Sequence, residues 1–96
     1  MEASEELDRS EAGAGELRDL VEFICRALVD DPDGVRVEEV DEDADLILEV
    51  SVEDEDLGRL IGRGGKVAGA IRTVTKAAAR AGAASDRRVL VEFVDD

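Results

Sequence analysis

Aliphatic residues recur every three or four positions from Leu17. Leu17, Leu20, Val21, Ile24 and Leu28 stand at i, i+3, i+4, i+7 and i+11. That is one face of a 3.6-residue period, and it predicts an amphipathic helix over Glu16–Val29. Asp30-Asp31-Pro32-Asp33-Gly34 ends it, because proline disfavours helical geometry in the residue before it and glycine turns the chain. The period then drops to two. Val35–Val40 and Leu46–Val52 read as strands across an acidic turn, Asp41–Asp45, with Leu46, Leu48, Val50 and Val52 alternating against Ile47, Glu49 and Ser51. In the first strand Glu39 falls in phase with Val35 and Val37 while Val40 does not. Either a bulge or an early end near Glu38 follows from that break.

Glu53-Asp54-Glu55-Asp56 opens a short second helix, where acids complement the positive end of the helix dipole and can supply the cap. Leu57, Leu60 and Ile61 form its inward side, and Gly62 stops it. Val67, Ala70, Ile71, Val74, Ala78 and Ala81 predict the apolar face of a third helix, with Arg72, Lys76 and Arg80 four apart opposite. Gly69 lies mid-helix on the outer side, at a cost of about 1 kcal/mol relative to alanine. Close approach of a ligand or partner backbone is one reading of it. After a loop at Gly82–Asp86, Val89, Val91 and Phe93 alternate with Leu90 and Glu92 in a last strand, Arg87–Val94. Helix, strand, strand, helix, helix, strand is an α+β order, and one sheet with helices on one face buries every apolar stripe.

Ninety-six residues suit one small domain, read here as residues 16–96. Residues 1–15 hold one large aliphatic, Leu7, among Glu, Asp, Ser, Ala and Gly, too little to offset the entropy of ordering. A disordered acidic tail is expected there, either a solubilising leader or a competitor with nucleic acid for basic surface. Phe23 and Phe93 are the only aromatics, so Val, Leu, Ile and Ala must make the core. Phe23 falls away from the first helix's apolar face, as a lone exposed aromatic or part of a subunit contact. Cys25 has no disulfide partner and no His to activate it, and reads as a buried inert thiol. No apolar run approaches the roughly 18 residues that span a membrane. A cytoplasmic protein with no cofactor is the expectation. The acidic run at 53–56 lacks the spacing of a calcium loop, and no nucleophile–base pair emerges, so neither a metal site nor an enzyme is expected.

The candidate chemistry sits at Leu60-Ile61-Gly62-Arg63-Gly64-Gly65-Lys66. A glycine at each end of a four-residue turn lets the backbone bend and bare its N–H groups, at the start of a helix whose dipole favours an anion. A Walker loop would need glycine at position 60 and Ser or Thr at 67; a dinucleotide fingerprint starting at Gly62 would need glycine at 67. Leu60 and Val67 exclude both. A net charge of −14 argues against a polyanionic partner until its distribution is read. Leu57–Val91 carries eight Arg and Lys against one acid, a net +7, leaving −21 for the rest. Charges beyond a Debye length of about 8 Å are screened, so local potential decides contact. Arg outnumbers Lys ten to two, and either genome composition or a salt-rich cytoplasm accounts for the acidic excess.

A G-x-x-G turn between two helices, after an αββ unit and before a strand, resembles a KH domain, a nucleic-acid module whose loop clamps the backbone of about four nucleotides. The family signature is Val/Ile-Ile-Gly-x-x-Gly-x-x-Ile-x-x-Ile. Leu60-Ile61-Gly62-Arg63-Gly64-Gly65 match it, with Ala68 and Ile71 at the later apolar positions. The αββααβ order resembles the type II arrangement, which implies a three-stranded mixed sheet with three helices on one face. From about Leu17 to Val94 the chain is similar to small bacterial single-KH RNA-binding proteins of the KhpA type. Three blocks carry that likeness: Glu22-Phe23-Ile24 with Ala27-Leu28-Val29-Asp30-Asp31-Pro32, Asp56-Leu57-Gly58-Arg59-Leu60-Ile61-Gly62, and Ala70-Ile71-Arg72-Thr73-Val74.

The resemblance implies a cytoplasmic binder of single-stranded RNA in post-transcriptional regulation. It implies a homodimer, or a heterodimer with a larger multidomain KH protein of the KhpB type. Gly62, Arg63, Gly64 and Gly65 would hold the backbone, Arg63 and Lys66 would pair phosphates, and Leu60, Ile61 and Val67 or Ala68 would form an apolar floor. Arg72, Lys76 and Arg80, facing away from the sheet, either steer the ligand or form a plain solvated face. Few aromatics means little stacking and a weak sequence preference. Two alternatives stand beside this reading: a helix–helix turn that touches no ligand, and a KH-fold adaptor that binds protein, which the acidity would suit.

Overall fold

Leu46, Leu48 and Val50, two residues apart, are all but fully buried, and they mark the side of the sheet on which the core is built. The computed structural model describes residues 13–82 and 86–95. Its elements are α1 (Gly13–Leu28), a 3₁₀ turn (Pro32–Gly34), β1 (Arg36–Glu42), β2 (Asp45–Ser51), α2 (Asp54–Ile61), a second 3₁₀ turn (Arg63–Gly65), α3 (Lys66–Ala81) and β3 (Arg88–Phe93). The strands lie in the order β1-β2-β3, β1 antiparallel and β3 parallel to β2. Three helices cover one face of this mixed sheet, α1 against β1 and β2 and α3 against β3. The parallel β2–β3 pair needs a long crossover, and α2, the glycine turn and α3 supply it. Helix α1 starts at Gly13, three residues before the sequence-based start at Glu16. The tail expectation for residues 1–12 lies outside the described residues.

Two helix faces are turned from where the aliphatic pattern puts them. On α1 the central line is Leu17, Val21 and Cys25, with Val29 just beyond its end, while Leu28 is 43% exposed. Counting only aliphatics shifted the face, because cysteine packs as a small hydrophobe. On α3 the buried line is Ala68, Ile71, Thr75 and Ala79, whereas Val74 is 47% exposed and Ala70 and Ala81 lie at the surface. The difference is one residue, roughly 100° of rotation. Small residues on the inner side let α3 sit close to its neighbours. Thr75 is buried without penalty because its hydroxyl donates to Ile71 O at 2.7 Å.

The β1–β2 hairpin runs longer than the acidic run suggests. Pairing continues without a bulge from Arg36↔Ser51 to Glu42↔Asp45, and a two-residue turn at Asp43-Ala44 closes it. Asp43 takes φ +49°, a conformation that Asp tolerates better than most residues. The break in β1's alternation reflects its edge position. Glu39 faces the helix side opposite Leu48 but stays exposed, while Val40 pairs with Ile47 on the open face, next to Leu90.

One row of the open face is unfavourable. Glu49 on the central strand pairs with Glu38 on one side and Glu92 on the other. Like charges directly opposite on adjacent strands destabilise a sheet. Glu49→Thr is therefore expected to raise the unfolding free energy by about 0.5–1 kcal/mol in low salt, and by less at high salt, measured by urea denaturation.

Burial also pushes the Cys25 thiol up, from 9.0 to about 11. The unfolded thiol ionises first as pH rises, so this contribution is complete below about pH 9 and is lost on approaching pH 11. Wild type is expected to lose up to about 3 kcal/mol across that window, a slope absent from Cys25→Ala when both are followed by urea denaturation.

Candidate nucleic-acid interface

Helix α2 is only eight residues long, so its placement depends on what anchors it. Its acidic first turn does not cap it in the expected way, since Glu53, at the N-cap, makes no side-chain cap bond. Asp56 turns inward instead and is 3% exposed. Its two carboxylate oxygens accept the N–H groups of Asp30 and Asp31, each at 3.1 Å, where α1 has just ended. Arg59 lies 3.5 Å from Asp56 Oδ1 and donates to Asp30 Oδ2 at 2.8 Å. One turn after Asp56, Leu60 is fully buried. Asp56 and Leu60, at i and i+4, thus tie α2 to the end of α1 and to the core, and α2 runs directly into the glycine turn.

The turn needs its glycines for different reasons. Gly62 has φ +76° and ψ 173°, and a Cβ there would stand 2.5 Å from Val67 Cγ2 and 2.9 Å from Val67 N. Gly64 and Gly65 also have positive φ, but a Cβ on either meets nothing within 4 Å. Gly62 N donates to Gly58 O at 2.9 Å, Gly65 N to Gly62 O at 3.1 Å, and Lys66 N to Arg63 O. Those bonds close the turn and do not use the N–H groups of Arg63 and Gly64. Arg63, Gly64 and Lys66 are exposed at the surface, beside Ile61, which is 38% exposed.

Of the residues read as an apolar floor, Leu60 and Ala68 lie in the core, at 0% and 3% exposure, and support the turn from below. Ile61 and half-buried Val67 provide the apolar surface. Arg72 departs from the expectation that it faces away from the sheet. Its Nε donates to Val91 O at 3.0 Å and its Cζ lies over the Phe93 ring, 5.4 Å from the centroid. The rotation of α3 brings it to β3.

The basic third of the chain divides into two groups. Arg59 is held by Asp30 and Asp56, Arg87 by Asp41, and Arg88 by Asp45 at 3.0 Å. The Arg88 hydrogen bond lowers the Asp45 pKa and raises that of Arg88. Arg63, Lys66, Arg72, Lys76 and Arg80 form no salt bridge among the described residues, and all five stand on the turn or on α3. Sequence alone did not separate the groups, because the acids that neutralise the first come from distant elements. The Asp56 anchor was missed too; an acid four residues before a core leucine on a short helix was its signal.

The KH-family model described as "KhpA/KhpB, KH domain" matches residues 18–92, from α1 to β3. The chain belongs to this KH family. Among curated relatives, a protein of Clostridium perfringens named RNA-binding protein KhpA is 45% identical over 78 residues, covering 81% of this chain and 100% of its own. A KhpA of Clostridium acetobutylicum is 46% identical over the same coverage, and one of Leifsonia xyli is 45% identical over 76% of this chain and 90% of its own. No solved structure gave a significant match. The family match spans both the Asp56 anchor and the glycine turn.

Among the described residues no helix is long and apolar enough to cross a membrane, and no grouping of His, Cys, Asp or Glu has the arrangement of a metal site.

Proposed function

We propose that this chain binds single-stranded RNA in a groove formed by the Gly62–Gly65 turn, α3 and the free edge of β3, with weak sequence preference. The observation that carries the reading is the segregation of charge within the basic third of the chain: its five cations with no salt bridge among the described residues lie on the turn and α3, while Arg59, Arg87 and Arg88 are neutralised by acids. Family membership supports it, since the relatives are named RNA-binding proteins. Gly62, Arg63, Gly64 and Gly65 hold the sugar–phosphate backbone, Arg63 and Lys66 pair phosphates, and Ile61 and Val67 lie beneath the bases. The protein acts in the cytoplasm in post-transcriptional regulation, as a homodimer or with a KhpB-type partner, and it performs no catalysis.

Exposed Phe23 (72%), Val74 (47%) and Leu28 (43%) favour a second reading, a protein–protein adaptor with little RNA binding of its own. RNA titration at several salt concentrations separates the two. The RNA reading expects log affinity to fall linearly with log salt, at about −0.7 for each phosphate neutralised on a single strand. Replacing Arg63 and Gly64 together by Asp is expected to abolish binding while the domain stays folded, its stability lower by only about 1 kcal/mol from the left-handed backbone at residue 64. Affinity retained in that double variant would remove the turn from the site.

A further inference from the structure

Arg72 and Gly69 are not accounted for by phosphate contact. Arg72 is exposed and has no acid partner among the described residues, yet it is held in place twice over. Arg88 N bonds Ala44 O and Val94 N bonds Val50 O, so the even-numbered residues of β3 bond β2 and Val91 O faces the free edge. Arg72 Nε occupies that edge carbonyl, and Phe93, half-buried and packed against the core, covers one side of the guanidinium. This is the single cation–π contact among the described residues. Gly69, three residues earlier, is a surface neighbour of Arg72 on α3. A Cβ at Gly69 would meet nothing within 4 Å, so the helix carries its least favourable ordinary residue next to open space.

We infer that the guanidinium of Arg72, backed by Phe93, is a stacking platform for one unpaired nucleobase, and that Gly69 leaves the room the base occupies. Bases stack on arginine planes as they do on aromatic rings, and this chain has few rings to offer. An anchored guanidinium has less freedom to lose on binding than a solvated one. Arg72 stands six residues from Lys66, about 9 Å along the helix axis, within reach of a strand whose backbone is clamped at the turn. A phosphate contact alone would need neither the Phe93 backing nor a bare helix surface. The inference rests on the RNA-binding reading and deepens it, because a base in a duplex cannot offer its face to such a platform.

The test is fluorescence anisotropy of the full chain with octamers of oligo(A), the abasic ribose–phosphate octamer and an RNA duplex, each at two salt concentrations. Wild type is expected to bind oligo(A) about ten-fold more tightly than the abasic strand, with the duplex no better than abasic. Arg72→Lys keeps the charge and loses the plane, and it is expected to erase that ten-fold preference with an unchanged salt slope. Gly69→Leu fills the space beside the platform and is expected to weaken oligo(A) binding by a similar factor while its urea midpoint does not fall. The platform is overturned if Arg72→Lys binds oligo(A) like wild type, if its loss appears as a smaller salt slope, or if Gly69→Leu is neutral. Any of these with Arg63→Asp/Gly64→Asp still defective removes the platform and leaves RNA binding standing. No wild-type binding to any of the three strands removes both.

Discussion

Asp56→Ala is expected to destabilise the domain by about 2–3 kcal/mol, the largest loss from any single polar side chain in it. Both carboxylate oxygens are in use, on the N–H groups of Asp30 and Asp31, and the side chain is buried. Alanine would leave two donors short of an acceptor, at about 1–3 kcal/mol for each fully buried one, moderated here because Asp30 and Asp31 themselves reach solvent. Asp56→Asn keeps one acceptor oxygen and is expected to lose about half as much. Urea denaturation of the three proteins gives the ordering wild type, Asn, Ala. Equal midpoints for Asn and Ala would mean that charge, through Arg59, matters more than the paired N–H contacts. Because α2 leads directly into the glycine turn, the same variants are expected to speed amide exchange at Gly62–Gly65 before any RNA is added.

Gly62→Ala is expected to cost about 3 kcal/mol, whereas Gly64→Ala costs about 1. Both positions have positive φ, but they differ in surroundings and in ψ. Gly64, at φ 62° and ψ 20°, lies in the left-handed helical region with open space around it, so alanine meets only the intrinsic penalty. Gly62 pairs φ +76° with ψ 173°, a region essentially reserved for glycine, and its added methyl would collide with Val67, backbone nitrogen included. Pairing Gly62→Ala with Val67→Ala relieves the side-chain part of that collision. Partial recovery is therefore expected, and full recovery would show the backbone contact to be harmless. Thermal melts of the four proteins decide it.

Element order was legible throughout, from Leu17 to Phe93, because helix and strand periods are written in the spacing of apolar residues. The glycine turn was legible because few residues other than glycine tolerate its backbone angles. The family likeness was carried by the same blocks, and the match over residues 18–92 bears it out. Element ends were less legible. The hairpin extends into Asp41 and Glu42, since backbone pairing does not depend on the polarity of an edge strand's side chains.

Along a chain, each residue's polarity and conformational preference is a local property, and local properties suffice to state which segments coil, which extend and where the backbone must bend. Contact between residues far apart is not local. The inward swing of Asp56 onto the end of α1 and the neutralisation of Arg59, Arg87 and Arg88 each depend on groups 25 or more residues away, apart from the Asp56–Arg59 pair within α2, and the direction in which α3 turns its buried line depends on its packing against α1, α2 and β3. So does the placing of Arg72 on the edge of β3, 19 residues off. The bend between α2 and α3 was visible in seven letters. Which of the basic residues near it are paired with acids depended on how the helices pack against one sheet.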